Sequence, residues 1–283
     1  MTGILLIAVG HKNYSRMASM LAMSIKANNC ELPICLATDV DQIDEHYKQY
    51  FDSFVNVPED YIRWRGNQCY IKVKAHMNDL TPFDTTLFID SDVIMVNNGM
   101  LNSFIEELQG VSFTVKNSGS KNFGNIEAGD KQWADLHAVK EAYGFINEPI
   151  WNVHSEFVWW DKSMSFLFDK WVENFNDLKV EPINFAGCVP DELPLWIAMA
   201  QLNVTPHKSN YRPVFWPMDK DGAMMLHEVR KDYCAVSIGG KFVDGQMKSN
   251  YDNLCKIYQR MLGLPYIYMA QPKKRWLKER QNY

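Results

Sequence analysis

Asp90-Ser91-Asp92 closes the apolar run Thr86-Leu87-Phe88-Ile89 and opens a second one, Val93-Ile94-Met95-Val96. In extended chain, residues two apart project to the same side, so the two carboxylates can converge on one point at a strand end. Two hard oxygen ligands there suit a divalent cation, Mn2+ or Mg2+, held partly by protein and partly by phosphate. Such a cation helps a diphosphate to leave, because it neutralises the charge that grows as the bond to it breaks. The plain alternative is a solvated acidic turn. The flanking apolar runs argue against that, since unpaired carboxylates inside a hydrophobic stretch are costly.

The elements that must position this pair follow from the apolar periodicity. Ile4 to Val9 is a continuous apolar run ended by Gly10, the pattern of a strand buried on both faces of a largely parallel sheet. Met17, Met20, Leu21 and Ile25 share one helical face, with Asn13 or Ser15 to cap the start and Asn28-Asn29 to stop the helix. Ile34 to Thr38 completes a βαβ opening, and Ser53 to Val57 is a further strand. Polar residues just after these strands, His11-Lys12-Asn13 and Asp39, would gather where ligands bind in open α/β sheets. Residues 68 to 80 are expected to form a helix carrying Lys72 and Lys74. Helices are also expected near 100–108, 131–143, 163–175 and 191–202, and strands near 111–115 and 151–160. The stretch 116–130, rich in Asn, Gly and Ser, reads as a long loop and the best boundary between halves.

The segment from Asp84 to Met95 resembles the DxD strand of GT-A glycosyltransferases, particularly the glycogenin and galactosyltransferase group called glycosyltransferase family 8. The opening strand with its Tyr14-bearing helix, and the lysine-bearing segment upstream of the triplet, are similar too. The likeness runs in order over residues 4 to about 200. It implies an α/β fold of GT-A type, a Rossmann-like mixed sheet flanked by helices. Residues 1–115 would bind the nucleotide, 116–250 would shape the sugar and acceptor sites, and 251–283 would form a C-terminal helix and basic tail.

The same resemblance implies the roles. Ala8, Gly10, His11, Tyr14 and Asp39 would surround base and ribose, Ser91 would lie against the donor, and Lys72 and Lys74 would meet its phosphates. Each has a structural alternative: His11 as a helix cap, the lysines as solvated charges. Asn152 would flank the reacting sugar, and Asp191 and Glu192 would face sugar and acceptor, although Asp191 could equally be a helix cap. As a carboxylate, Glu192 could accept sugar hydroxyls or act as a general base. The family's third metal ligand is a His in an HxxGxxKPW segment, from which this chain departs. Its nearest echo is Val236-Ser237-Ile238-Gly239-Gly240-Lys241, with Ser237 at the His position. Either His227 or His207 substitutes, or the two aspartates, phosphate and water suffice. Gly240 and Lys241 remain candidates for holding the diphosphate. The implied donor is a nucleotide-sugar, a UDP-sugar first, with retention of configuration. The acceptor could be a glycan, a protein or a modified DNA base.

Composition sets the outer bounds. Of 283 residues 47% are hydrophobic and 22% charged, which is ample for a core and too apolar for a disordered chain. A net charge of -5 argues against a whole-surface nucleic-acid binder, with only the stretch Lys273 to Arg280 clearly basic. No run is long enough for a membrane span, and six cysteines without a CxxC pair read as reduced thiols of a cytoplasmic protein. GxGxxG is missing after the first strand, and GxxxxGK[ST] is missing everywhere, which removes dinucleotide and P-loop enzymes. A haloacid-dehalogenase-type phosphatase would use Asp90 as nucleophile, Asp92 as acid, and Asp130 or Asp135 later. The spacing is too short for that fold's intervening units. A non-catalytic sugar-nucleotide-binding module is the third reading.

Overall fold

The computed structural model describes residues 1–39, 43–96, 99–117, 133–146, 148–183, 188–215, 226–237 and 246–265. The chain opens with β1 (Thr2–Ala8), α1 (Lys12–Ala27), β2 (Ile34–Thr38), α2 (Glu45–Lys48) and β3 (Ser53–Asn56). A short hairpin, β4 (Arg63–Trp64) and β5 (Asn67–Gln68), leads to a 3-10 helix over Tyr70–His76 that continues as α3 (Met77–Leu80). Then come β6 (Thr85–Ile89), β7 (Val93–Met95), α4 (Met100–Glu107), β8 (Phe113–Asn117) and α5 (Leu136–Tyr143). β9 (Val153–Asp161), α6 (Ser165–Asn176), α7 (Glu192–Gln201), β10 (Arg212–Phe215), α8 (Leu226–Asp232), β11 (Tyr233–Ser237) and α9 (Gln246–Met261) complete the order.

Six strands form the main sheet in the order β3-β2-β1-β6-β9-β8. β3, β2, β1 and β6 run parallel, and β9 is antiparallel to both β6 and β8. Helices cover both faces, which is why the strands read as unbroken apolar runs. Ile4, Leu6 and Ala8 pack with Leu21 and Ile25 of α1 and Phe104 of α4. Leu5, Ile7 and Val9 belong to the opposite core with Phe168, Trp171 and Trp196 of α6 and α7. A smaller sheet, β10-β11-β7, carries the chain on from the acidic triplet.

Several local expectations change. The cap of α1 is His11, whose Nδ1 accepts the Asn13 N–H at 3.2 Å, in place of Asn13 or Ser15. Asn28 closes that helix and Asn29 adopts φ +57, as its side chain permits. The expected helix over 68–80 is mostly 3-10, in keeping with the β-branched Ile71 and Val73, which lose rotamer freedom in an α-helix. Asp191 takes helical angles itself and makes no side-chain capping bond to α7, so its carboxylate is committed elsewhere. The cysteines are not all reduced. Cys69 and Cys188, 119 residues apart in sequence, are disulfide-bonded because the fold brings their Cα atoms to 5.5 Å. Cys30, Cys35, Cys234 and Cys255 are free and buried.

β8 extends to Asn117, so the expected boundary loop of 116–130 begins inside a strand, and the rest of it, 118–130, lies outside the described residues. Gly240, Lys241 and the basic tail lie outside them as well. Among the described residues no helix is long and apolar enough to cross a membrane. Leu87 is fully buried at the sheet centre between Ile4 and Trp159. Leu87→Ala should therefore lower unfolding free energy by about 2–5 kcal/mol with an unchanged denaturant slope. A urea titration checks this, and a loss below about 1 kcal/mol would mean the central packing is misassigned.

Candidate active site

The parallel strands place their carboxyl ends side by side, with Ala8 opposite Thr38. Thr38 Oγ1 donates to the Ala8 carbonyl at 2.6 Å. Just beyond, Gly10 adopts φ +81 and donates its N–H to both carboxylate oxygens of Asp39, at 2.9 and 3.1 Å. The Tyr70 ring lies so close that a Cβ on Gly10 would meet it at 2.7 Å, so glycine is required on two counts. Ala8, Gly10 and Asp39 thus meet as expected from the sequence, with Tyr70 added from the 3-10 helix. His11 caps α1 next to them, and Tyr14 is partly buried within the α1 core.

The second half of the site centres on Lys74. Its ammonium donates to Asp90 Oδ2 at 2.7 Å and to Ser155 Oγ at 3.2 Å, and it pairs with Asp191 Oδ2 at 3.3 Å. Ser155 in turn donates to Asp191. Burial alone would push Lys74 down, but Asp191 and then Asp90 outweigh it and hold the ammonium well above its usual range. In a 3-10 helix, residues two apart point about 240° apart. Lys72 accordingly turns elsewhere: its ammonium donates to the Asp60 carbonyl at 3.2 Å, and burial lowers its pKa.

Further carboxylates crowd the same end of the sheet. His154 Nδ1 lies 3.1 Å from Glu192 Oε1, and Lys116 Nζ donates to Glu156 Oε2 at 2.8 Å. The Glu156 carbonyl accepts the Asp90 N–H at 2.9 Å, which extends the β6–β9 pairing up to the triplet. Ser91 is buried, and Val93 N–H donates back to the Asp90 carbonyl, so the chain turns sharply there. Asp92 is buried and its Oδ1 has no hydrogen-bond partner among the described residues. Desolvation first, then Asp90 and Glu156, raises its pKa well above the ordinary value.

An orphaned, buried carboxylate oxygen beside a second carboxylate is a donor set that a hard divalent cation fits. Asp90 and Asp92 are the residues that would hold it. Among the described residues no third His, Cys, Asp or Glu completes a metal-holding group with them. His227 is exposed in the first turn of α8, and His207 Nε2 lies 3.7 Å from Glu107, so neither stands in for a third ligand. β11 explains the vacant role: Ser237, fully buried, pairs with Val93 one residue beyond Asp92. The place where the resemblance puts a histidine is held by a serine. Asn152 sits just before β9, and its side-chain Oδ1 is also buried without a partner among the described residues.

No family model matches this sequence, and no curated protein matches it either. Solved structures do resemble it. The galactosyltransferase LgtC, in complex with donor and acceptor sugar analogues, superposes with a TM-score of 0.55 at 13% identity, over 95% of this chain and 98% of that one. The bifunctional glycosyltransferase WbbM gives 0.56 at 10% identity, over 92% of this chain and 51% of its own. The chain has the GT-A fold. At the carboxyl edge of that fold lie both constellations described above, Gly10–Asp39 and the carboxylates around Lys74.

Within this GT-A frame Asp135 is engaged as the N-cap of α5, which takes it away from the phosphatase reading's later acidic motif; Asp130 lies outside the described residues. Tyr70, Lys116, His154, Ser155 and Glu156 are not among the residues expected from the sequence, although the last three stand inside the strand expected near 151–160. A charged residue in an otherwise apolar strand, Glu156 between Ser155 and Phe157, was the available signal.

Burial, and secondarily Asp191, raises the pKa of Glu192, while His154 opposes the shift. The folded chain therefore keeps a proton that the unfolded chain has lost, and stability falls as pH rises upward from the ordinary value of 4.5. Glu192→Gln has no such proton and should show a flatter decline in Tm over that range. Equal slopes for the two proteins would contradict the assigned environment.

Proposed function

We propose that the protein is a metal-dependent glycosyltransferase that moves a sugar from a nucleoside-diphosphate sugar, a UDP-sugar first, to an acceptor hydroxyl. The observation that carries this reading is the orphaned, buried Oδ1 of Asp92 beside Asp90 at the carboxyl edge of a GT-A sheet. A bound cation there would offset the charge developing on the departing diphosphate. The remaining work belongs to the chain itself.

Ala8, Gly10, His11, Tyr14 and Asp39 form the nucleotide end, where Gly10 lets the backbone come close and Asp39 is oriented by the Gly10 N–H. Ser91 lies between the two cation-holding residues, at the donor. Lys74 differs from its expected part as a phosphate ligand. Three oxygens of the protein surround its ammonium. We therefore assign it to positioning, holding Asp90 on the donor side and Asp191 on the sugar side at a fixed separation. Asp191, Glu192 and Asn152 face the sugar and acceptor, with Glu192 oriented by His154. Hydroxyls of a sugar are suitable donors to these carboxylates and to the Asn152 Oδ1, which has no hydrogen-bond partner among the described residues. Retention of anomeric configuration is the expected outcome, by the family resemblance.

A panel of nucleotide-sugars with manganese, magnesium or chelator tests the reading. The true donor at a hundredfold over its Kd should stabilise the protein by about 2.7 kcal/mol, and only with metal. Released nucleotide should fall on the order of a hundredfold or more in Asp90→Ala and Asp92→Ala. Binding of no nucleotide-sugar even with metal, or turnover untouched by both substitutions, would end the proposal.

A further inference from the structure

Cys69 and Cys188 join two segments far apart in sequence, and each stands just upstream of one member of the Lys74–Asp191 pair. Cys69 immediately precedes the 3-10 helix: its N–H donates to the Ile62 carbonyl at 2.7 Å and its carbonyl accepts the Lys72 N–H at 3.0 Å. Lys74 follows five residues later. Cys188 leads through Val189 and Pro190 to Asp191, a stretch belonging to no strand or helix. Lys74 and Asp191 then meet at 3.3 Å. The disulfide is thus a covalent copy of the Lys74–Asp191 contact, placed a few residues upstream on both strands of chain.

We propose that the Cys69–Cys188 disulfide is a positioning device that holds Asp191 against Lys74, and that its reduction releases the acidic edge of the site from the lysine. The inference rests on the transferase reading only for its catalytic consequence. A dithiol reductant supplies two electrons and two protons, the S–S bond becomes two thiols, and the reductant closes to its own disulfide. Cys188 is half-buried, which gives the reductant access. The other four cysteines are buried, and burial raises their thiols, that of Cys234 to about 12. Cys69 is buried as well, and buried thiols react slowly, so at neutral pH a thiol reagent acting on the folded, reduced chain reports on Cys188.

The test is maleimide labelling of the full chain before and after dithiothreitol, followed by hydrogen exchange of the oxidised, reduced and Cys69→Ser/Cys188→Ser proteins. The expected result is no label before reduction and label at Cys188 after it, with the four free cysteines unlabelled throughout. Exchange should then rise at least tenfold in segments 70–76 and 188–193, with strands 2–8 and 85–89 unchanged. Sugar transfer should fall at least tenfold on reduction and return on reoxidation. Labelling before reduction, unchanged exchange, or exchange raised evenly through the sheet would each overturn the proposal. If the double variant does not fold, reduced wild-type protein carries the same comparison. Local loosening in a protein that turns over no nucleotide-sugar when oxidised would sustain the tether and refute the transferase reading.

Discussion

The ammonium of Lys74 ties together four pieces of chain that are far apart in sequence: its own 3-10 helix, the end of β6 at Asp90, β9 at Ser155, and the start of α7 at Asp191. Neither it nor its partners could be buried alone, since an isolated charge in the interior costs several kcal/mol. The fold therefore has to deliver them together. The antiparallel β6–β9 register does so on one side, extended by the Asp90 N–H bond to Glu156. The packing of α6 and α7 does so on the other, where the Trp171 indole donates to the Asp191 carbonyl at 2.9 Å and that of Trp196 to Val153 at 2.8 Å.

Charge balance then determines what the site can accept. Around Lys74 and Lys116 stand Asp90, Asp92, Glu156, Asp191 and Glu192, so carboxylates outnumber ammoniums. The excess falls on Asp92, which lacks both a cationic partner and a hydrogen bond on Oδ1 among the described residues. A divalent cation bound there would relieve that excess, and a diphosphate arriving with it would restore the negative charge without leaving any one carboxylate exposed to the full repulsion. Ser237, in the position where the resemblance expects a histidine, would leave such a cation with fewer protein ligands and more dependence on phosphate and water.

Much of this arrangement was legible in the sequence. Unbroken apolar runs marked β1, β2 and β6 because both faces of the sheet are covered, and the carboxylate pair after β6 was conspicuous because it interrupts such a run. What was not legible depends on contacts between distant residues. Nothing local separates Lys72 from Lys74; only the 3-10 geometry turns one to Asp60 and the other to Asp90. The Cys69–Cys188 bond and the Lys116–Glu156 pair are likewise products of tertiary placement, 119 and 40 residues apart. Asp191 had the letter of a helix cap, but its carboxylate is drawn to Lys74 by an interaction that no window of sequence contains.

The proposed function requires Asp90 and Asp92 to form a cation site at a nucleotide-diphosphate pocket. Anomalous scattering at the manganese edge, from crystals grown with manganese and UDP, tests it most directly. One strong peak is expected within bonding distance of both aspartate carboxylates, with the diphosphate beside it and the base near Gly10 and Asp39. A peak elsewhere, or none at the aspartates while UDP is bound, would contradict it.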